Sequence, residues 1–180
     1  MQLGVISDTH DNIEKTIEAL DIFLEKSIFI VLHCGDWVTP ETFLFIASEA
    51  QQRKIRLCGV LGNNDIKYTD EFYAINSTLA APVDLPKKGD EYIIFKVKDR
   101  EFGIYHGHKK IKLDEILQTH RLEALFVGHT HKPSEDFIRN TKVLNPGALS
   151  YSIPFKKRNN EIFTIGIYDL KRKVFEVHEI

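Results

Sequence analysis

Leu3-Gly4-Val5-Ile6-Ser7-Asp8-Thr9-His10 passes from a short apolar run straight into a polar turn, and a segment of helical period follows from Ile13. Leu3, Val5 and Ile6 read as a strand, while Ile13, Ile17, Leu20 and Leu24 fall on one helical face, with Asp11 and Glu14 spaced as a capping box. The pattern then repeats. Residues 28–32 form a second apolar run, Thr39-Pro40 supplies an N-cap and a first-turn proline for a helix carrying Phe43, Ile46, Ala47 and Ala50, and residues 55–61 form a third run. Strands alternating with helices predict a parallel sheet. Beyond it, residues 69–90 read as irregular, 92–97 and 102–105 as a hairpin across 98–101, and Leu113, Ile116 and Leu117 as a short helix. Residues 124–127 read as a strand, 137–144 as a hairpin turning near Asn140, and 162–168 with 174–177 as a final antiparallel pair. The expectation is an α/β chain of two packed sheets with outer helices, residues 1–180 forming one domain.

Composition agrees with that outline and narrows the function. The 180 residues carry 24 Lys plus Arg against 26 Asp plus Glu, and 43% are apolar, enough for a packed core. A net charge of -2 argues against broad capture of nucleic-acid backbone, which calls for a basic face. The N-terminus lacks a basic n-region and meets Asp8 before an apolar signal segment can form, and no apolar run is long enough for a bilayer, so a cytoplasmic location away from membranes is expected. Cys34 and Cys58 have neither metal-site spacing nor a disulfide framework and read as reduced core thiols.

Polar groups able to bind metal follow the strands one after another: Asp8-Thr9-His10, Gly35-Asp36, Gly62-Asn63-Asn64-Asp65, His106-Gly107-His108 and Gly128-His129-Thr130-His131. Carboxyl ends of parallel strands share one edge of a sheet, so the first three motifs are expected to converge; the direction of the later strands is open at this level. Each motif alone reads more readily as a cap, a turn or a surface loop. Together they offer carboxylates, a carboxamide and imidazoles without thiolate, a set for Mn, Fe, Zn or Ni and not for a cysteine-based structural zinc. Seven groups exceed one tetrahedral ion and divide between two if a carboxylate bridges. Two dications against Asp8 and Asp36 leave net positive charge, which suits a phosphoryl anion and hydrolysis of a phosphoester.

The ordered set Asp-x-His, Gly-Asp, Gly-Asn-x-Asp, His-Gly-His, Gly-His-x-His, with Asn145-Pro146-Gly147 after it, resembles the calcineurin-like metallophosphoesterases, and the small size resembles their compact bacterial and archaeal phosphodiesterase branch. That resemblance implies a four-layer α-β-β-α sandwich of two mixed β-sheets flanked by helices. It implies one metal held by Asp8, His10, Asp36 and His131 and another by Asp36, Asn63, His106 and His129, Asp36 being the bridge. A hydroxide between the ions would attack phosphorus, with manganese favoured over nickel, zinc, iron or magnesium, and a small phosphodiester or nucleotide as substrate. Asn64 departs from the family pattern, which has His beside the leaving oxygen; Asp65 would then lack its usual partner and His108 becomes a candidate proton donor, so Asn64, Asp65 and His108 are the catalytic candidates. The competing reading is a protein-binding scaffold on the same fold, as in the small retromer subunit, and a homo-oligomer is compatible with either. Specificity is expected in residues 66–90 and 148–160. The basic runs Lys109-Lys110-x-Lys112 and Phe155-Lys156-Lys157-Arg158 read as solvated loops, and Trp37 either stacks on substrate or packs.

Overall fold

A computed structural model describes residues 1–150 and 162–180. Strand β1 (Gln2–Ile6) sends Leu3 and Val5 to one face and Ile6 to the other, the two-residue alternation of a strand buried on both sides. It pairs in parallel with β2 (Ile30–His33), and β2 pairs in parallel with β3 (Arg56–Gly59). The chain end returns as β9 (Thr164–Asp169) and β10 (Val174–Glu179), antiparallel, to complete a sheet of order β10-β9-β1-β2-β3. The second sheet has the order β4-β5-β6-β8-β7, built from β4 (Tyr92–Val97), β5 (Arg100–Tyr105), β6 (Ala124–Phe126), β7 (Ser134–Ile138) and β8 (Thr141–Asn145). Its middle strands β5, β6 and β8 run parallel, and β4 and β7 flank them antiparallel.

Three apolar layers bind these sheets into the four-layer sandwich. Leu3, Val5 and Leu32 of the first sheet meet Phe102, Ile104, Phe126 and Leu144 of the second. On the outer face of the first sheet lie α1 (Ile13–Glu25), α2 (Pro40–Gln52) and α3 (Thr69–Thr78), whose Phe23, Phe43 and Phe72 pack with Ile6 and Val31. Helix α4 (Lys110–Thr119) covers the other side, with Ile116 and Leu117 against Tyr105, Leu125 and Val143. Both cysteines are free and buried between the sheets, as expected.

Three local expectations need correction. Helix α1 is capped by Asn12, whose side chain accepts from the Lys15 N–H; Asp11 instead reaches across to the N–H and hydroxyl of Thr39 and ties the starts of α1 and α2 together. Its buried stripe is Thr16, Ala19, Leu20 and Phe23, so the face is rotated and Leu24 is exposed. Residues 69–78 form a helix where irregular chain was expected. Tyr68, Phe72, Ile75 and Leu79 recur at helical spacing and pack on the outer core, but no side chain caps the helix start. The Thr39-Pro40 start of α2 stands as read.

Candidate metal centre

All five motifs meet at one edge. The first sheet brings Asp8, Asp36 and residues 62–65 there at the ends of β1, β2 and β3, and the second brings His106, His129 and His131 beyond β5 and β6. Hydrogen bonds stitch the turns: Asp8 N donates to the Gly35 carbonyl, His10 N to that of Asp36 and Gly128 N to that of His106. Two glycines make room for this approach. A Cβ on Gly62 would lie 2.1 Å from Asp36 Oδ1, and one on Gly128 would lie 2.0 Å from Ser7 Oγ. Asp8, His10, Asp36, His129 and His131 all have positive φ, between 41° and 70°, a conformation non-glycine residues seldom adopt and that concentrates at working sites.

The donor atoms form two linked groups. Asp8, His10 and His131 offer atoms within 4.8 Å of one another, and so do Asp8, Asp36 and His106. Asp8 Oδ1 stands 3.2 Å from His131 Nε2, while Asp36 faces both ways, with Oδ2 at 3.4 Å from His10 Nε2 and Oδ1 at 3.4 Å from His106 Nε2. Asn63 Oδ1 lies 3.0 Å from the same His106 nitrogen. The His129 ring belongs to neither trio; it sits 5.2 Å from the His106 ring, and its backbone N–H donates to Asp8 Oδ2.

The chemistry of this donor set fits a cation. His106 Nδ1 is 2.8 Å from the Cys34 carbonyl, which can only accept, so the neutral ring carries its hydrogen on Nδ1 and turns the Nε2 lone pair toward Asn63 Oδ1 and Asp36 Oδ1. Acceptors converging in this way are satisfied by positive charge. Asp8 Oδ1 and His10 Nε2 are likewise buried without a hydrogen-bond partner among the described residues. Burial opposes the ionised form of Asp8 and Asp36, yet the imidazoles of His10 and His131 around the first and of His106 beside the second hold both carboxyls below their usual range. Asp8 in turn raises His131. The residues present suit divalent ions with mixed oxygen and imidazole ligation.

A supporting layer went unread in the sequence. His33 Nδ1 accepts the Gly35 N–H at 3.1 Å, so Nε2 carries the proton and donates to Thr9 Oγ1 at 3.2 Å, and that hydroxyl donates to the Asp36 carbonyl at 3.3 Å. Trp37 stacks on His33 at 3.5 Å and donates to the Val60 carbonyl; fully buried, it packs and does not meet substrate. Asn145 donates to the Gly128 carbonyl and fixes the last loop. Burial pushes His33 down to about 3. The unfolded chain protonates it near 6.5, so its stabilising contribution is complete above that pH and is lost as pH falls from 6.5 toward 3, by about 1.4 kcal/mol per unit. Chemical denaturation of the metal-free protein across this window is expected to show a slope shallower by about one proton in His33→Gln. An unchanged slope would mean that His33 titrates normally in the fold.

The model of the calcineurin-like phosphoesterase superfamily domain matches residues 1–173. The chain belongs to this family. Its members are phosphoester hydrolases that use divalent metal ions, and this chain is a metal-dependent phosphoesterase. It is 28% identical to Phosphodiesterase MJ0936 of Methanocaldococcus jannaschii over 178 residues, 97% of this chain and 96% of that one. A solved archaeal phosphodiesterase superposes with a TM-score of 0.76 at 28% identity, each chain covered fully. Yfce, a phosphoesterase from E. coli, superposes with a TM-score of 0.64 at 16% identity, covering 100% of this chain and 98% of that one, and shares the fold.

Three residues outside the ligand set behave in different ways. Asn64 donates its Nδ2 to Asp36 Oδ2 at 2.6 Å and its backbone N–H to Oδ1 at 3.0 Å. Asp65 binds backbone groups: Oδ2 accepts from the N–H of Asp36 and Gly62, and Oδ1 from that of Val38. It is fully buried, out of reach of any substrate. His108 adjoins the His106 and His129 rings, and neither of its nitrogens has a hydrogen-bond partner among the described residues. Lys109 pairs with Glu91 and Lys112 with Glu115, so that basic run is solvated surface; residues 155–158 lie outside the described residues.

Proposed function

We propose that the chain is a two-metal phosphodiesterase of the cytoplasm, residues 1–180 acting as one domain on a small phosphodiester or nucleotide. The observation that carries this reading is the position of Asp36 between the two linked donor groups, with Oδ2 3.4 Å from His10 Nε2 and Oδ1 3.4 Å from His106 Nε2. Asp8, His10, Asp36 and His131 would hold one ion and Asp36, Asn63, His106 and His129 the other. A set of carboxylate, carboxamide and imidazole without thiolate accepts manganese, nickel, zinc, iron or magnesium, cellular availability decides as much as affinity, and manganese is our choice among them. When bound, such an ion pair makes water nucleophilic at neutral pH and offsets the charge of the phosphoryl oxygens. Asn64 donates a hydrogen bond at the reacting edge but has no proton to give. Burial keeps His108 below the usual histidine range, so at neutral pH it is a neutral N–H donor to a phosphoryl or leaving oxygen. Asp65 positions the Asp36 turn. Departure of the leaving group thus has little acid assistance. No helix among the described residues is long and apolar enough to cross a membrane.

Metal-stripped protein supplied with manganese, magnesium, zinc or nickel is expected to regain cleavage of chromogenic aryl phosphodiesters over the matching monoesters, best with manganese. Rates should fall steeply as the phenol becomes less acidic. Two bound ions without turnover of any ester would contradict the enzyme reading and favour a protein-binding scaffold.

A further inference from the structure

Val38, Asn63, Asn64, Ile66 and Lys67 line a groove of about 410 Å³. Two of its walls belong to the metal cluster, since Asn64 Nδ2 touches Asp36 Oδ2 and Asn63 Oδ1 touches His106 Nε2. The groove therefore adjoins Asp36 and His106 of the metal cluster. Val38 and Ile66 add apolar side chains to the lining. Ile66 is 58% exposed, directly after the buried Asp65, and Val38 has φ 83°, held there by its N–H bond to Asp65 Oδ1 at 2.8 Å. A β-branched residue in that conformation is strained by about 1–3 kcal/mol where glycine would be at ease, so the chain keeps an isopropyl group at this wall against a backbone cost. Lys67 has no carboxylate partner among the described residues; its ammonium rests 4.6 Å from the centre of the Tyr68 ring.

Resting on the phosphodiesterase reading, we propose that this groove is the subsite for the leaving arm of the substrate, and that it takes a flat apolar group bearing an anionic substituent. Val38 and Ile66 contact the faces of the arm, the Asn64 amide meets its ester end, and Lys67 pairs with the charge at its outer end. A hydrophilic arm leaves the apolar walls wet, and a cationic arm meets Lys67 unfavourably. Leaving-arm selection at residues 38, 66 and 67 sets which diesters are cut.

The test uses the manganese-loaded protein and two methyl aryl phosphates, one with a carboxylate on the ring and one with that carboxylate as its methyl ester. Intrinsic reactivity cancels when each variant is divided by wild type. Lys67→Met is expected to lower the preference in kcat/KM for the carboxylate ester about fivefold, mainly through KM, as for an exposed ion pair. Ile66→Ser is expected to weaken both aryl esters about fivefold, as for lost apolar contact. Both side chains are exposed, so the fold is retained. Wild-type turnover with unchanged ratios in both variants would overturn the subsite and leave the enzyme reading standing. If wild type cleaves neither ester, the phosphodiesterase reading itself fails, and the subsite with it.

Discussion

Asp36→Asn is expected to lower phosphodiester cleavage by more than about 100-fold while the chain stays folded. Loss of a residue that merely supports a metal ligand costs 10–100-fold, and Asp36 faces both groups of ligands directly. The fold does not depend on its charge. Its backbone N–H bonds to Asp65, and its carbonyl accepts from His10 N and Thr9 Oγ1; Asn keeps all three bonds. Asn also keeps the shape that receives the Asn64 backbone N–H at 3.0 Å and removes a negative charge close to Asp8. Activity assays alongside thermal melts separate the two effects. Full activity in a folded Asp36→Asn protein would contradict the site assignment, whereas loss of the fold would show that the carboxylate is structural.

Asp65→Ala is expected to be the most destabilising single change near the site. Its two oxygens accept three buried or half-buried backbone N–H groups, from Asp36, Val38 and Gly62, at 2.7 to 3.0 Å. Each orphaned donor costs about 1–3 kcal/mol, so about 3 kcal/mol or more is at stake out of the 5–15 kcal/mol typical of a domain. Burial raises the Asp65 carboxyl to about 6, leaving it ionised and accepting at both oxygens at neutral pH. Asp65→Asn keeps one acceptor oxygen and turns an amide donor toward the remaining N–H, so it should lie between wild type and Ala in denaturant unfolding. Metal affinity should fall in the same order, because Asp65 fixes the turn that carries Asp36. An Asp65→Ala protein as stable as wild type would refute this anchoring role.

Much of the site was legible because ligand-bearing turns follow strands, and short apolar runs mark where strands end. Asp8, Asp36 and Asn63 could be placed on one edge from the parallel alternation alone. His106 and His129 could not, since hairpin-like spacing in the second half gave no direction for β5 and β6; pairing in the fold makes those strands parallel and delivers both histidines to the same edge. The two sheets face each other through Leu3, Val5 and Phe126, a contact that reading Leu3, Val5 and Ile6 as a strand did not specify. Helix α3 was missed because its signal, Tyr68 to Leu79 at helical spacing, lies beside Pro82, Pro86 and Gly89 and starts without a capping side chain. Asn12 displaced Asp11 as the cap of α1 because Asp11 had a longer-range partner in Thr39. Asp65 and His33 show the limit most clearly. Their distant partners, the Asp36 and Val38 N–H groups for Asp65 and the Thr9 hydroxyl for His33, are brought together by the fold, and spacing along the chain carries no trace of them.

Anomalous diffraction from crystals of the manganese-loaded protein tests the central claim most directly. Two peaks are expected, one contacting Asp8, His10 and His131, the other contacting Asn63, His106 and His129, and both contacting Asp36. A single peak, or peaks that leave Asp36 uncoordinated, would contradict the two-metal account.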